Sequence, residues 1–193
     1  MLLSLIILIL QLSLNINAKY YSQYDQDKFI NEHFIHNKQH GFFVDIGAHD
    51  GVTYSNTYFF EKELNWKGIC FEPLSSPFQK LSTVRPNSIC LNACVSSTIG
   101  NLEFFEVQGY SEMLSGIVST YHPKHLARLK REVIQYGGSY RTTIVPSLRF
   151  NDVMEKNNIK HIDVLSIDTE GSELEILKSI DFAAIPIDII LVE

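Results

Sequence analysis

From Lys19 onward, short apolar runs alternate with amphipathic stretches. A run of about five to seven apolar residues suits a buried strand, and spacing of three and four suits a helix packed by one face. Asp25 to His36 reads as a first helix, capped by Ser22 or Asp25, with Phe29, Ile30 and Phe34 on its apolar side. Gly41 to Gly47 reads as a strand entering a glycine-rich turn, and Thr53 to Leu64 as the helix that follows. Gly68 to Glu72 is a second strand, stopped by Pro73, and the residues from Ser76 to Val84 form a short helix with Pro77 in its first turn. Ile89 to Val95 reads as a third strand, and Phe104, Phe105 and Val107 as the apolar members of a polar hairpin. Pro123 to Tyr136 is an amphipathic helix, with Leu126, Leu129 and Val133 on one side and Lys124, Arg128, Lys130 and Arg131 around them. Phe150 to Asn157 is a short helix, Ile162 to Asp168 a fourth strand, a helix starts near Gly171, and Ile187 to Glu193 is a fifth strand. Strands alternating with helices predict an α/β fold: a doubly wound, mostly parallel sheet of the Rossmann type.

The first 18 residues break this pattern. The run from Leu2 to Leu14 is interrupted only by Ser4, Gln11 and Ser13, and it ends in Asn15, Ile16, Asn17 and Ala18. It is shorter than the roughly 20 residues a spanning helix needs. It reads as a signal-peptide core with cleavage after Ala18, although no basic residue precedes it; an uncleaved anchor is the alternative. Either one predicts a secretory-pathway location, and the uncleaved anchor also predicts membrane association through the N-terminus. The expected organisation is therefore residues 1–18 as signal or anchor, 19–40 as a helical leader and 41–193 as the α/β domain.

At 193 residues, with 45% hydrophobic and 20% charged side chains, the chain is sized for one domain with a real core. A net charge of −6 argues against nucleic acid and favours a small-molecule or glycan partner. Cys70, Cys90 and Cys94 make an odd, sparse set. If Cys90 and Cys94 share one strand, their Cα atoms stand roughly 13 Å apart, too far for a disulfide. Three thiols with no companion ligands give no metal site and read as buried side chains.

The candidate chemistry gathers at strand ends, where parallel sheets bind ligands. The turn Gly47-Ala48-His49-Asp50-Gly51 follows one strand and opens a helix. Such a turn either lets a ligand approach the backbone or only answers a steric need. Glu72 ends the next strand 21 residues after Gly51, where a carboxylate can accept both hydroxyls of a ribose. Asp45 lies within the strand before the turn, suited to a cationic amino group. The turn lacks the Gly-x-Gly-x-x-Gly spacing, which favours S-adenosylmethionine over a nicotinamide dinucleotide. Asp168 ends the fourth strand, expected beside the first at the topological switch point, near the reacting centre. Glu170 follows it, where the start of a helix also favours an acid.

Several segments, in order, resemble the FkbM methyltransferase family: Gly41 to Val52, Ser55 to Phe59, Trp66 to Pro73, Leu114 to Ile117 and Ile162 to Glu173. Ser22 to Asp27 resembles the family's leader, with Tyr24-Asp25 where glycine is usual, and the likeness extends over residues 22 to 193. The resemblance implies a methyltransferase sheet and O-methylation of hydroxyl groups on sugars or polyketides, with S-adenosylmethionine as cofactor. It places Asp45, Gly47, Ala48 and Gly51 at the cofactor's methionine end, Glu72 and Pro73 at the ribose, and Asn92 to Ser96 on the adenine side. Asp168 is then the first candidate base for the acceptor hydroxyl and also a cofactor contact; His49 is the second. His122 and His125 stand in the basic helix, either on a lid or on a solvated face. That fold has two strands beyond the fifth, so the sheet is expected to be truncated, with its fifth strand as a bare edge. The rival reading is a catalytically silent, membrane-associated trafficking protein like the Star-type members of the family; Asp45, Glu72 and Asp168 together favour the enzyme.

Overall fold

The computed structural model describes residues 19–193, so the apolar run from Leu2 to Leu14 and the proposed cleavage point lie outside the described residues. The helices are α1 (Gln26–Ile30), α2 (Tyr58–Leu64), α3 (Ser75–Val84), α4 (Pro123–Tyr136), α5 (Phe150–Lys156) and α6 (Glu173–Ser179). The strands are β1 (Phe42–Ile46), β2 (Lys67–Phe71), β3 (Ser88–Leu91), β4 (Cys94–Val95), β5 (Gly100–Gln108), β6 (Gly116–Ile117), β7 (Ser139–Leu148), β8 (Ile162–Ile167) and β9 (Ile187–Val192).

Five strands form one parallel sheet in the order β3-β2-β1-β8-β9, so the strand order reverses between β1 and β8. Alternate residues of these strands enter two separate cores, as a period of two requires. Val44, Ile46, Ile69, Phe71, Leu165 and Ile167 pack with Phe150 and Met154 of α5 and Ile176 of α6. Phe43, Cys70 and Val164 pack with Phe59, Phe60 and Leu64 of α2 and Leu81 of α3. The sheet is therefore covered on both faces and doubly wound, and every residue of β8 is buried. β9 is the last strand on its side among the described residues, and its side chains alternate between half-buried and exposed.

A second sheet, in the order β4-β7-β5-β6, departs from the sequence reading. The expected hairpin around Phe104 is the long strand β5, paired antiparallel with β7 from Gly100↔Ser147 to Gln108↔Ser139. In β7 the burial alternates only from Thr143 to Ser147, while the first half from Ser139 to Thr142 is exposed and polar, and this polar half hid the strand. The expected third strand also divides. The Asn92 side-chain amide donates to the carbonyls of Glu72 (2.9 Å) and Pro73 (3.0 Å), pulling the chain out of the ladder. Cys90 stays in the parallel sheet while Cys94 pairs with β7, and all three cysteines are free thiols.

The leader helix is α1 continued by a π-helical turn, Asn31–Ile35. Its cap includes Ser22, whose hydroxyl accepts from the Asp27 N–H at 3.2 Å. Ile30 and Ile35 are buried, but Phe29 and Phe34, expected to be inside, are more than half exposed. The extra residue in the π turn shifts the helical register after Ile30, so that Ile35 rather than Phe34 faces inward. The helix expected from Thr53 begins only at Tyr58, because residues 47–57 form an irregular, largely buried loop.

Candidate functional site

The carboxyl ends of β1, β2 and β8 open into a cavity of about 300 Å³, walled on the far side by β5, β6 and the Glu112–Leu114 turn. That is at the small end of ligand-site volumes, about 300–1,000 Å³. Asp45, Gly47, Ala48, His49, Glu72, Pro73 and Asp168 all contribute to its wall. Asp168 and the glycine turn meet because β8 neighbours β1.

Gly47 has φ +95°, and a Cβ there would stand 1.8 Å from the Asp168 carbonyl oxygen. Close packing of two strand ends therefore requires glycine whether or not a ligand is bound. The N–H groups of Gly47 and Ala48 both donate to the Phe71 carbonyl, at 3.1 and 3.0 Å. Gly51 and Asn92 do not line the cavity. Gly51, at φ +84°, offers its carbonyl to Arg85 at 2.9 Å, and Asn92 braces the loop after Glu72. Of the expected adenine-side residues, Ala93, Cys94 and Val95 line the cavity.

Glu72 is buried, and its two carboxylate oxygens accept from the N–H groups of His49 (3.0 Å) and Leu74 (2.8 Å). A carboxylate has about four acceptor positions, so about two remain. Burial pushes its pKa up to about 7 against the pull of those two bonds. Asp45 is buried and accepts from the Thr57 hydroxyl at 2.5 Å. Burial raises its pKa, opposed by the charge of Arg85 and by Thr57. Arg85 itself is wholly buried, bonded to Glu61 (2.6 Å), Thr57 (2.7 Å), Gly51 and Ser55. The guanidinium thus fixes the loop between β1 and α2 from beneath, and its charge compensates the Asp45–Glu61 pair.

Asp168 has no hydrogen bond to its carboxylate among the described residues. Burial, with Glu193, Asp45 and Glu173 nearby, pushes its pKa up to about 7. Glu170 is also raised to about 7, by burial first and Asp168 second. It sits at φ +58° with Oε2 3.0 Å from His125 Nε2 of α4, without hydrogen-bond alignment. The loop carrying both acids is held by Glu173, which accepts from Thr169 N–H (2.9 Å), Thr169 hydroxyl (2.8 Å) and Gly171 N–H (3.0 Å). His49, in the left-handed region at φ +48°, has Nε2 3.4 Å from Glu112 Oε1 and Nδ1 3.9 Å from Asp50 Oδ1. His122 instead caps α4, its Nδ1 accepting from the Lys124 N–H at 3.2 Å.

Among the lining residues that the sequence reading did not assign to the site, the polar Asn56, Glu112 and Arg128 matter most for its chemistry. Asn56 is buried, donates to Ser166 at 3.2 Å, and leaves its side-chain oxygen without a partner. Its signal was the polar triplet Ser55-Asn56-Thr57 just before an apolar helix. Glu112 and Arg128 come from the second sheet's connections, which local pattern does not bring to the site. The cavity wall is strongly acidic, and a buried acceptor without a donor is costly, so the arrangement suits a ligand bearing positive charge and N–H donors.

A family model described as the methyltransferase FkbM domain matches residues 45–193. No curated protein and no solved structure matches the chain.

Proposed function

The chain belongs to the FkbM methyltransferase family, and from that premise we propose that it transfers a methyl group from S-adenosylmethionine to a hydroxyl of a sugar or other small acceptor. The observation that carries this reading is one wall presenting Asp45, Asn56, Glu72 and Asp168 together, with acceptor positions left over. The donor set fits the cofactor. Glu72 would take the ribose hydroxyls, Asp45 and the unpartnered Asn56 oxygen the ammonium, and the Ala93–Val95 segment the adenine side. When bound, S-adenosylmethionine supplies an electrophilic methyl on a sulfonium.

The protein's own work is to orient and to accept a proton. Asp168 and His49 line the same cavity, Asp168 just after β8 and His49 within the glycine turn. Asp168 or His49 would take the proton that the acceptor hydroxyl gives up as the sulfonium's methyl–sulfur bond breaks and a neutral thioether leaves. Asp168, with a pKa near 7, is ionised in part at neutral pH and basic enough to accept it. His49 is the second candidate, with Glu112 and Asp50 beside its two ring nitrogens. Alignment of the two reactants supplies most of the remaining acceleration, up to about 7–11 kcal/mol in ideal cases.

The test is calorimetric titration of the full chain with S-adenosylmethionine and, separately, with NAD. Saturable heat with the first alone supports the reading; preference for NAD overturns it. The location we propose is the secretory pathway, supported by the run from Leu2 to Leu14. N-terminal sequencing of protein from its native cells should begin at Lys19; a cytosolic product retaining Met1 would reject it.

A further inference from the structure

α4 is the most polarised element of the fold. It carries Lys124, Arg128, Lys130 and Arg131 against the single acid Glu132, in a chain whose net charge is −6. Its inner side rests on the second sheet through Leu129, with Leu126 and Val133 beside it. The outer side is exposed. Arg128 is bonded to Glu132 at 2.7 Å, but Lys124, Lys130 and Arg131 have no acidic partner among the described residues. Lys124, Arg128 and Arg131 are spaced four and three residues apart, so they form one stripe along the helix. Arg128 also lines the cavity, so the stripe crosses the cavity's edge. At the far end, Tyr110 (73% exposed) and Tyr136 (51% exposed) form a ring pair with centroids 4.4 Å apart.

We infer that the acceptor is an anionic glycan whose sulfate or carboxylate groups lie along the outward stripe of α4 while one of its hydroxyls enters the cavity. The inference rests on the methyltransferase reading and adds the acceptor's charge and its path. A stripe of exposed cations, of which Lys124 and Arg131 have no acidic partner among the described residues, leading into an acidic pocket suits a ligand that is anionic along its length and neutral where it reacts. The exposed tyrosine rings suit the apolar face of a pyranose at the end of that path. The negative charge of the rest of the chain is no obstacle, because the Debye length is about 8 Å at physiological salt and the local charges dominate. A lipid surface is a poorer fit. Ile134 and Ala127 are the apolar side chains among those cations, and an interfacial helix needs a continuous apolar face toward the lipid. Here that face is turned inward onto the sheet.

The experiment titrates the full chain with a heparin oligosaccharide, a neutral dextran oligosaccharide and phosphatidylserine vesicles, in parallel with the triple variant Lys124→Ala, Lys130→Ala, Arg131→Ala. These three positions are exposed and outside the cavity wall, and Arg128 is left intact. Each exposed charge contributes up to about fivefold in affinity. The expected result is saturable, salt-sensitive binding of the heparin fragment, no dextran binding, and a loss of about 10- to 100-fold in the variant at unchanged melting temperature. Equal heparin affinity in the variant, equal binding of dextran, or binding to the vesicles without the oligosaccharide would each overturn the proposal. None of these outcomes depends on S-adenosylmethionine, so a failed cofactor titration is read separately.

Discussion

Replacing Asp168 by asparagine keeps the shape of the side chain and removes its charge, and activity and stability should then move in opposite directions. In the fold the carboxyl titrates at about 7 rather than at its ordinary 3.8. Above both values, holding the ionised form in this site costs the folded state about 4 kcal/mol. The side chain is partly open to the cavity, so solvent screening reduces this to about 2 kcal/mol. The sign follows from proton uptake. Below about pH 4 the carboxyl is protonated folded and unfolded, and the substitution gains nothing. As pH rises toward 7 the unfolded chain releases its proton first, and the wild type loses stability that the variant keeps. For a chain of this size about 2 kcal/mol is worth roughly 4–8 °C in melting temperature. Thermal unfolding followed by circular dichroism should therefore place the variant level with the wild type near pH 4 and about 4–8 °C above it near pH 8.5. With S-adenosylmethionine and a competent acceptor, turnover should fall by about 10²–10⁴-fold, the usual contribution of a positioned base. The wild type's turnover should rise with pH through about 7 as the base ionises. A variant that melts at or below the wild type at pH 8.5 refutes the desolvated carboxylate; unchanged turnover refutes the base.

Glu72→Ala should weaken S-adenosylmethionine by about 10- to 100-fold, the loss of charged hydrogen bonds worth about 1.5–3 kcal/mol; equal calorimetric affinity would withdraw the ribose assignment. Arg85→Met leaves the Asp45–Glu61 acids without their buried cation and should cost about 3–5 kcal/mol in chemical denaturation; a shift below about 1 kcal/mol would mean that water already reaches the network.

The parallel sheet was legible because its strands are short apolar runs ended by glycine, proline or acid, and these signals are local. The span of α4 was legible for the same reason: Pro123 starts it, Gly137 follows it, and its apolar stripe is regular. Glu72 and Asp168 could be located because a strand end and a strand order suffice to place them. The second sheet was not legible, since β5 and β7 alternate weakly and pair across 30 or more residues. The break after Leu91 depends on one side-chain amide bonding backbone carbonyls twenty residues earlier, and no period records that. Asn92 and Gly51 were assigned to a ligand from their positions in motifs, whereas their hydrogen bonds serve the protein's own loops. Asn56, Glu112 and Arg128 reach the cavity only through tertiary packing.

The division of the third strand has a consequence for how such a protein can change. Everything from β4 to β7 leaves the parallel sheet after Leu91 and returns to it at α5, and the two ends of this excursion lie side by side, Cys94 against Ser147 and Val95 against Leu148. An insertion whose ends meet can be lengthened, shortened or exchanged without moving the strands on either side of it. The cavity acids Asp45, Glu72 and Asp168 belong to the parallel sheet and its strand ends, while Glu112, Arg128 and the whole of α4 belong to the excursion. If the proposed methyl transfer holds, relatives could acquire new acceptors by replacing this segment as a unit, and a chimera grafted at Ala93 and Arg149 would carry a donor protein's acceptor preference onto the cavity of the parallel sheet.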